Sequence, residues 1–131
     1  MEWSPDGSFL LTPSACYYDL QAEKRSSNYV YTVYGFLKHE LGQPAFMLPG
    51  IKSYATAIRF NPFLYAKSQS SETPEAMSSK VPELLDLPYK MIFAVATTDQ
   101  VVVYATNSIV PLAVIGNIHY APINDMAWHG Y

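Results

Sequence analysis

Three segments of this chain share one local pattern, and that recurrence is the strongest constraint on its fold. Each segment has an apolar residue, any residue, a bulky aromatic, a small or polar residue, and then a turn former. They lie at residues 1–5 (MEWSP), 58–62 (IRFNP) and 126–130 (MAWHG). Between these anchors, residues 44–50 resemble residues 111–117. The chain is therefore predicted to repeat one structural unit.

Short runs rich in β-branched and aromatic residues fill the intervals between the anchors. Because Pro, Gly, Asn and Asp bound them, these runs are predicted to be strands. The predicted strands cover residues 8–12, 29–34, 45–48, 55–60, 90–97, 101–104, 112–115 and 123–128. No window combines a helical apolar period with capping residues. Residues 18–26 come nearest and are predicted to be a loop, with a short surface helix as the alternative.

Each period holds four short strands, which is the unit of a β-propeller blade. The predicted fold is all-β, a partial propeller of about two blades of four antiparallel strands with one long mobile insertion. Residues 1–50 are predicted to form most of one blade and residues 51–117 a second blade. Residues 118–131 are predicted to start a third. A closed ring takes about 4–8 blades, so we expect the chain to be part of a longer protein.

The predicted insertion, residues 66–83, is rich in Ser, Glu, Lys and Pro and has little to bury. Such a composition is typical of a mobile surface loop. A phosphorylated or docking segment is the alternative interpretation, because several serines stand near acidic residues. A tolerated loop excursion is the simpler one.

The composition argues against several functional classes. The net charge is −3, whereas a basic nucleic-acid footprint needs an excess of Lys and Arg. No apolar run approaches the ~18 residues of a membrane span, and the N-terminus lacks the features of a signal peptide. We therefore predict no direct nucleic-acid site and no membrane segment. Cys16 is the only cysteine, which excludes an internal disulfide and suits a reducing compartment.

The residues that could carry out chemistry are few. His39, His119 and His129 are the only histidines, and none stands at a metal-ligand spacing with another ligand. Phosphate-loop, dinucleotide and hydrolase motifs are absent from the sequence. We predict no catalytic, cofactor-binding or metal site, so the chain is not expected to be an enzyme. A Cys16–His pair remains the minor alternative; Cys16 is expected to be a small buried or loop residue.

Four tyrosines are candidates for a binding stripe or for packing. Tyr29, Tyr31, Tyr34 and Tyr104 lie in predicted strands. Stacking on a sugar or peptide is one interpretation. Packing between blades, with each hydroxyl reaching solvent or a backbone group, is the favoured prediction.

Longer motifs give the chain a specific resemblance. They are WSPDGSFLLTP at residues 3–13, AIRFNP at 57–62, LPYKMIFAVAT at 87–97, IHYA at 118–121 and INDMAW at 123–128. Their order and spacing are similar to the family of the WD-repeat middle subunit of chromatin assembly factor 1. HIR-type histone-deposition WD subunits share the first two motifs but fit the later ones less well. The chain departs from the family pattern at 129–130, where Ser-Pro would be usual, and at 104–105.

The resemblance implies a partial WD-repeat β-propeller in the nucleus that acts as a non-catalytic scaffold of a histone chaperone. Such a complex deposits histones three and four onto replicated or repaired DNA. Its implied partners are the large subunit of chromatin assembly factor 1, these histones and, through regions outside this chain, another histone chaperone. The alternatives are an HIR-type, replication-independent deposition subunit and a generic WD-repeat interaction scaffold. No cofactor is implied.

The resemblance also implies structural roles for particular residues. Structural blade positions are expected at Trp3, Asp6, Gly7, Phe60, Pro62, Asp99, Tyr104, Asp125 and Trp128. His119 stands in the place of the WD-repeat Gly-His, where it would bond an Asp, Ser or Thr of its own blade. His119 and Tyr120 are also the loop candidates for protein binding.

Overall fold

The computed structural model describes residues 1–19, 29–67, 82–117 and 119–130, and these residues contain strands and no helix. The strands are β1 (Glu2–Trp3), β2 (Phe9–Tyr18), β3 (Tyr29–Leu37), β4 (Phe46–Met47), β5 (Ala55–Ala66), β6 (Tyr89–Thr97), β7 (Gln100–Ala105) and β8 (Ser108–Gly116). The all-β class predicted from the sequence is confirmed.

The strands form two antiparallel four-stranded sheets. The first has the order β1-β2-β3-β4 and the second the order β5-β6-β7-β8, so each strand pairs with its neighbours in sequence. We call these sheets blade one and blade two. Their strands span residues 2–47 and 55–116. The sheets pack face to face, with β5 contacting β1, β2 and β3.

Two strands are longer than the sequence predicts, because each continues past a bulge. β2 changes register between Thr12 and Ala15 and then pairs with β3 as far as Tyr18. The strand predicted at residues 8–12 therefore extends to Tyr18, where the loop was predicted to begin. β5 changes register between Phe60 and Leu64 and pairs with β6 as far as Ala66. A bulge bends a strand without ending its pairing, so the turn formers in these segments did not mark strand ends.

The interior lies between the two sheets. Blade one and the segment that follows it contribute the buried residues Phe9, Leu11, Val33, Leu48 and Ile51. Blade two contributes Ala55, Ile58, Phe60, Met91, Phe93, Val95, Val102 and Tyr104. Phe60 lies in the middle of a chain of rings, with its centroid 5.5 Å from Phe9 and 5.1 Å from Phe93. Burying each such side chain stabilises the fold by roughly 1.5–3 kcal/mol. The repeated aromatic at position 60 is therefore a contact between blades.

Close packing within blade one depends on one glycine. Gly35 on β3 pairs with Phe46 on β4, and the Phe46 ring lies directly over the Gly35 backbone. A Cβ at position 35 would overlap that ring. The Phe46 ring also makes an edge contact with Phe9, at a centroid distance of 5.7 Å. The small residue therefore lets an outer-strand aromatic reach the core.

Residues 119–130 form no strand, which corrects the strand predicted at 123–128. None of the described strands pairs with this segment through a ladder of backbone hydrogen bonds. It is held instead against blade two: the Ile123 amide donates to the Thr98 carbonyl at 3.1 Å, and the Thr56 hydroxyl donates to the Ile123 carbonyl at 2.8 Å. Ile123 packs on Ala57 and Ala96. The segment follows the far face of blade two, opposite blade one.

The prediction that the tyrosines pack between blades is wrong for two of the four. Tyr104 is fully buried, but Tyr29 is 60% exposed and Tyr31 is 40% exposed. They lie on the part of β3 beyond the reach of β4, where the described pairing is with β2 alone. Cys16 pairs with Tyr31 there and is also exposed, which corrects the expectation of a buried or loop cysteine.

Most of the predicted insertion, residues 68–81, lies outside the described residues. So do residues 20–28, which include most of the loop predicted at residues 18–26. The two flanks of the insertion are joined by Lys67, whose ammonium lies 2.6 Å from the Glu83 carboxylate. The same ammonium donates to the Leu87 carbonyl at 3.3 Å. The hydrogen bond to Glu83 raises the pKa of Lys67. Lys67 and Glu83, which are described residues at either end of the insertion, are therefore held together.

Candidate functional site

Asp6 lies in the turn between β1 and β2 and accepts four hydrogen bonds. The Gly7 amide donates to the Ser4 carbonyl at 2.8 Å, and Gly7 has φ +68°, a conformation that favours glycine. Asp6 Oδ1 accepts from the Ser4 hydroxyl at 2.6 Å and from the Ser8 hydroxyl and amide at 2.8 and 3.1 Å. Its Oδ2 accepts from the Tyr89 hydroxyl at 2.6 Å. The turn of blade one is thus bonded to the first residue of β6 in blade two.

The electrostatics of Asp6 follow from these bonds. Burial alone would raise its pKa, but the hydrogen bonds from Ser4, Tyr89 and Ser8 outweigh burial and lower the pKa to about 2. The hydrogen bond to Asp6 in turn raises the pKa of Tyr89. Asp6 is therefore a carboxylate at neutral pH whose acceptor capacity is used within the fold, and its bonds hold blades together.

At the second repeat anchor the chain continues through the bulge in β5 and does not turn. Phe60 is buried in the core, whereas Pro62 is exposed. The Asn61 side-chain oxygen accepts from the Phe63 amide at 3.0 Å, which shapes the bulge in β5. The Asn61 side chain therefore satisfies a backbone amide within the bulge. Ser4, at the equivalent repeat position, donates to Asp6 and accepts from the Phe9 amide.

Asp99 organises the turn between β6 and β7. Its carboxylate accepts from the Thr97 hydroxyl at 3.0 Å and from the Ser53 hydroxyl at 3.3 Å. Thr97 also accepts from the Gln100 amide at 3.3 Å. Ser53 belongs to the connection from blade one to blade two, so Asp99 joins that connection to a turn within blade two. Sequence reasoning did not find Ser53, because no local pattern marks it.

Tyr104 combines an aromatic contact with a hydrogen bond between blades. Its ring stacks on Phe93 with centroids 5.5 Å apart. Its hydroxyl donates to the Pro49 carbonyl at 2.6 Å. Burial raises the pKa of Tyr104 to about 12, so the phenol is neutral at physiological pH. It is placed to tie β7 to the end of blade one.

Arg59 connects all three repeat anchors. Its guanidinium lies 3.5 Å from the Glu2 carboxylate of blade one and 2.7 Å from the Asp125 carboxylate. Its backbone carbonyl accepts from Trp128 Nε1 at 2.9 Å. Sequence reasoning named Asp125 and Trp128 but missed Arg59. The available signal was the opposite charge of Glu2 and Arg59 at equivalent positions of the repeat. Trp3, the first anchor aromatic, pairs with Leu10 and is 45% exposed.

The two loop candidates for protein binding lie on the surface. His119 Nδ1 is 3.0 Å from the Ala121 carbonyl. Tyr120 is fully exposed. Their side chains lie outside the contacts between blade one and blade two described above.

Within residues 1–19, 29–67, 82–117 and 119–130, no cluster of His, Cys, Asp and Glu could hold a metal ion. The part of the chain that the structure describes also has no helix that is long and apolar enough to cross a membrane. The functional features that can be located are therefore contacts between blades and exposed surfaces.

Comparison with known protein families identifies the family to which this fold belongs. The sequence profile of the CAF1B/HIR1 beta-propeller domain matches residues 1–130. The chain belongs to the CAF1B/HIR1 beta-propeller family. Blade one and blade two are therefore propeller blades, as the repeat predicts.

Individual members of the CAF1B/HIR1 family agree with this assignment. The chain is 40% identical over 128 residues to the chromatin assembly factor 1 subunit designated B in Saccharomyces cerevisiae, covering 95% of this chain and 25% of the relative. It is 35% identical to the counterpart of the same designation in Mus musculus, covering 98% and 21%. It is 37% identical to the chromatin assembly factor 1 subunit FAS2 homolog of Oryza sativa, covering 98% and 22%. The chain thus spans about a quarter of the length of these relatives.

Proposed function

We propose that this chain is a two-blade portion of the WD-repeat subunit of a chromatin assembly factor 1-type histone chaperone. In this role it is a non-catalytic scaffold. It holds the large subunit of the factor and helps to present histones three and four for deposition on DNA during replication and repair, in the nucleus. The observation that carries the proposal is the identity of 40%, 35% and 37% to relatives named as subunits of that factor, over nearly all of this chain.

The contacts of the polar side chains support a scaffold role. Asp6, Arg59, Asp99 and Tyr104 each bond a group in another blade or in the connection between blades. A carboxylate that accepts four hydrogen bonds within the fold is poorly suited to act as a base or a metal ligand. These residues fix the relative positions of the blades, and a platform for other proteins requires that rigidity.

The test begins with affinity purification of the tagged protein from its own cells and identification of the proteins that copurify. We expect a large assembly-factor subunit and histones three and four in stoichiometric amounts. The purified complex should then introduce supercoils into relaxed plasmid DNA when supplied with these histones. A protein that purifies without histones and deposits none would refute the proposal.

A matched pair of variants examines the loop candidates. Tyr120→Ala removes a fully exposed aromatic beside His119, and Tyr54→Ala removes one that is 49% exposed elsewhere. If the His119–Tyr120 loop contacts a partner, Tyr120→Ala should lower the copurified amount of that partner roughly tenfold. Tyr54→Ala should leave it unchanged. Equal recovery with both variants would remove this loop from the proposed interface.

The second candidate function is replication-independent deposition by an HIR-type subunit, since the matched family includes HIR1 propellers as well as CAF1B propellers. The two differ in their dependence on DNA synthesis. Deposition by the first should favour plasmids that are being replicated or repaired. Equal deposition on resting plasmids, together with a different set of copurifying subunits, would favour the second.

A further inference from the structure

Residues 82–87 form no strand, yet their backbone is bonded to blade two at two points. The segment, PELLDL, lies between the insertion and β6. The Pro82 carbonyl accepts from the Ile109 amide at 3.0 Å, and the Leu85 amide donates to the Thr106 carbonyl at 3.0 Å. Both bonds reach the turn between β7 and β8 or the first residues of β8. We call residues 82–87 the strap.

The leucines of the strap lie against the interior of the protein. Leu84, Leu85 and Leu87 are partly buried and pack against the cluster between the two sheets. Removing this apolar surface from water favours the closed position of the strap. Apolar attraction has no preferred direction, so the exact position of the strap on blade two depends on its polar bonds.

Lys67 bonds the strap near both of its ends. Its ammonium lies 2.6 Å from the Glu83 carboxylate and 3.7 Å from the Asp86 carboxylate, and it donates to the Leu87 carbonyl at 3.3 Å. The side chains of Lys67 and Glu83 are 28% and 18% exposed, so this pair is screened less than a fully exposed one. Lys67 directly follows β5, which ends at Ala66. One ammonium therefore connects the end of β5 to the whole strap.

The strap leads directly into a contact between the blades. Only Pro88 separates Leu87 from Tyr89, the first residue of β6, whose hydroxyl donates to the Asp6 carboxylate of blade one at 2.6 Å. Proline fixes its own φ and restricts the residue before it. The direction of the chain at Leu87, where Lys67 bonds the carbonyl, is therefore passed to Tyr89 with little freedom.

We propose that the strap, fastened by Lys67, is a conformational latch that positions Tyr89 for its bond to Asp6. The latch couples the two described ends of the insertion, Lys67 and Glu83, to the contact between the blades. When the charge of Lys67 is removed or screened, the strap separates from the turn between β7 and β8, and the bond between Tyr89 and Asp6 weakens. Lys67 is thus a positioning residue, and the inference does not rest on the proposed function.

Hydrogen exchange on the full protein purified from its own cells tests the latch. Lys67→Met keeps a long apolar stem and removes the ammonium. Exchange of the Leu85 and Ile109 amides, which form the two backbone bonds of the strap, should become roughly fivefold faster. Lys52→Met changes an exposed lysine in the connection between the blades. It is the matched control and should leave both amides unchanged.

The coupling between Asp6 and Tyr89 separates positioning from simple covering of the interior. It is measured with Asp6→Asn and Tyr89→Phe, singly and together, in the wild type, in Lys67→Met and in Lys52→Met. The coupling should fall to less than half in Lys67→Met and stay unchanged in Lys52→Met. A strap that only covers the interior would lower the free energy of unfolding and leave this coupling as it is.

A salt series on the wild type tests the latch without any variant. Raising the salt from about 0.1 M to about 1 M shortens the screening length from about 10 Å to about 3 Å. Exchange of the Leu85 and Ile109 amides should become faster over this range in the wild type and hardly change in Lys67→Met.

The outcomes decide each part of the inference. Equal exchange in the wild type and Lys67→Met overturns the latch. Faster exchange with an unchanged coupling between Asp6 and Tyr89 overturns the positioning of Tyr89. Thermal unfolding identifies loss of fold in Lys67→Met. In that case the salt series decides, and exchange of the Leu85 and Ile109 amides that is independent of salt overturns the proposal.

Discussion

The bond between Asp6 and Tyr89 should make a measurable contribution to the stability of the propeller. A carboxyl whose pKa falls from its ordinary 3.8 to about 2 gains about 2.4 kcal/mol at neutral pH, because one pH unit corresponds to about 1.36 kcal/mol. Asp6 is half-buried, and solvent screening reduces this figure to about 1 kcal/mol. We expect Asp6→Asn and Tyr89→Phe each to cost about 1 kcal/mol of unfolding free energy.

A double-mutant cycle isolates the bond from the rest of the turn. Urea unfolding of the purified protein, followed by tryptophan fluorescence, gives the free energies of the wild type, both single variants and the double variant. Because the two groups lie 2.6 Å apart, the double variant should cost clearly less than the sum of the singles, with a coupling of about 1 kcal/mol. Tyr54→Phe, on an exposed tyrosine, is the control and should change little.

The pH dependence has a definite sign. A depressed pKa stabilises the fold fully above the ordinary pKa of 3.8, and this contribution is lost as the pH falls through about 2. The difference between wild type and Asp6→Asn should therefore be constant from pH 7 to about 5 and shrink between pH 4 and 2. A difference that grows on acidification, or a coupling below about 0.3 kcal/mol, would refute the reasoning.

Three further substitutions test the packing between strands and blades. Gly35→Ala should cost about 1–3 kcal/mol of unfolding free energy, measured by thermal or urea unfolding, since its Cβ would overlap the Phe46 ring. Adding Phe46→Ala should relieve part of that cost. If the costs of the two substitutions simply add, the overlap is contradicted. Tyr104→Phe should cost about 1–2 kcal/mol through its lost 2.6 Å bond to a backbone carbonyl, and no loss would contradict it. Arg59→Gln should leave global stability nearly unchanged but increase proteolysis within residues 119–130; unchanged cleavage would show that the ion pair does not hold that segment.

Local sequence patterns were sufficient for most of the strands and their order. Alternating and apolar runs overlap seven of the eight described strands, because strand periodicity and turn residues act over a few positions. They did not predict β1, which has only two residues. Strand lengths were not predictable in the same way. β2 and β5 continue past bulges, and a bulge is stabilised by the neighbouring strand, which the local sequence does not reveal.

Several residue environments depended on distant parts of the chain. Asp6 could be assigned to a turn from WSPDG, but its bond to Tyr89 joins residues 83 positions apart in sequence. Arg59 could be placed on an anchor, but its contacts with Glu2 and Asp125 need three segments in one place. Tyr29 and Tyr31 were predicted to pack between blades. They are exposed, because they lie on the part of β3 that pairs with β2 but not with β4.

The sequence by itself determined the all-β class, the repeat of four strands and the family, because these follow from local periodicity and from motifs whose order is visible along the chain. Only the tertiary structure decided how much of each sheet face is covered. Val102 and Val114 are the same residue type and pair with each other, yet one is fully buried and the other is 59% exposed. The physical reason is that burial depends on how far the neighbouring blade extends, and that extent is a property of the packed sheets.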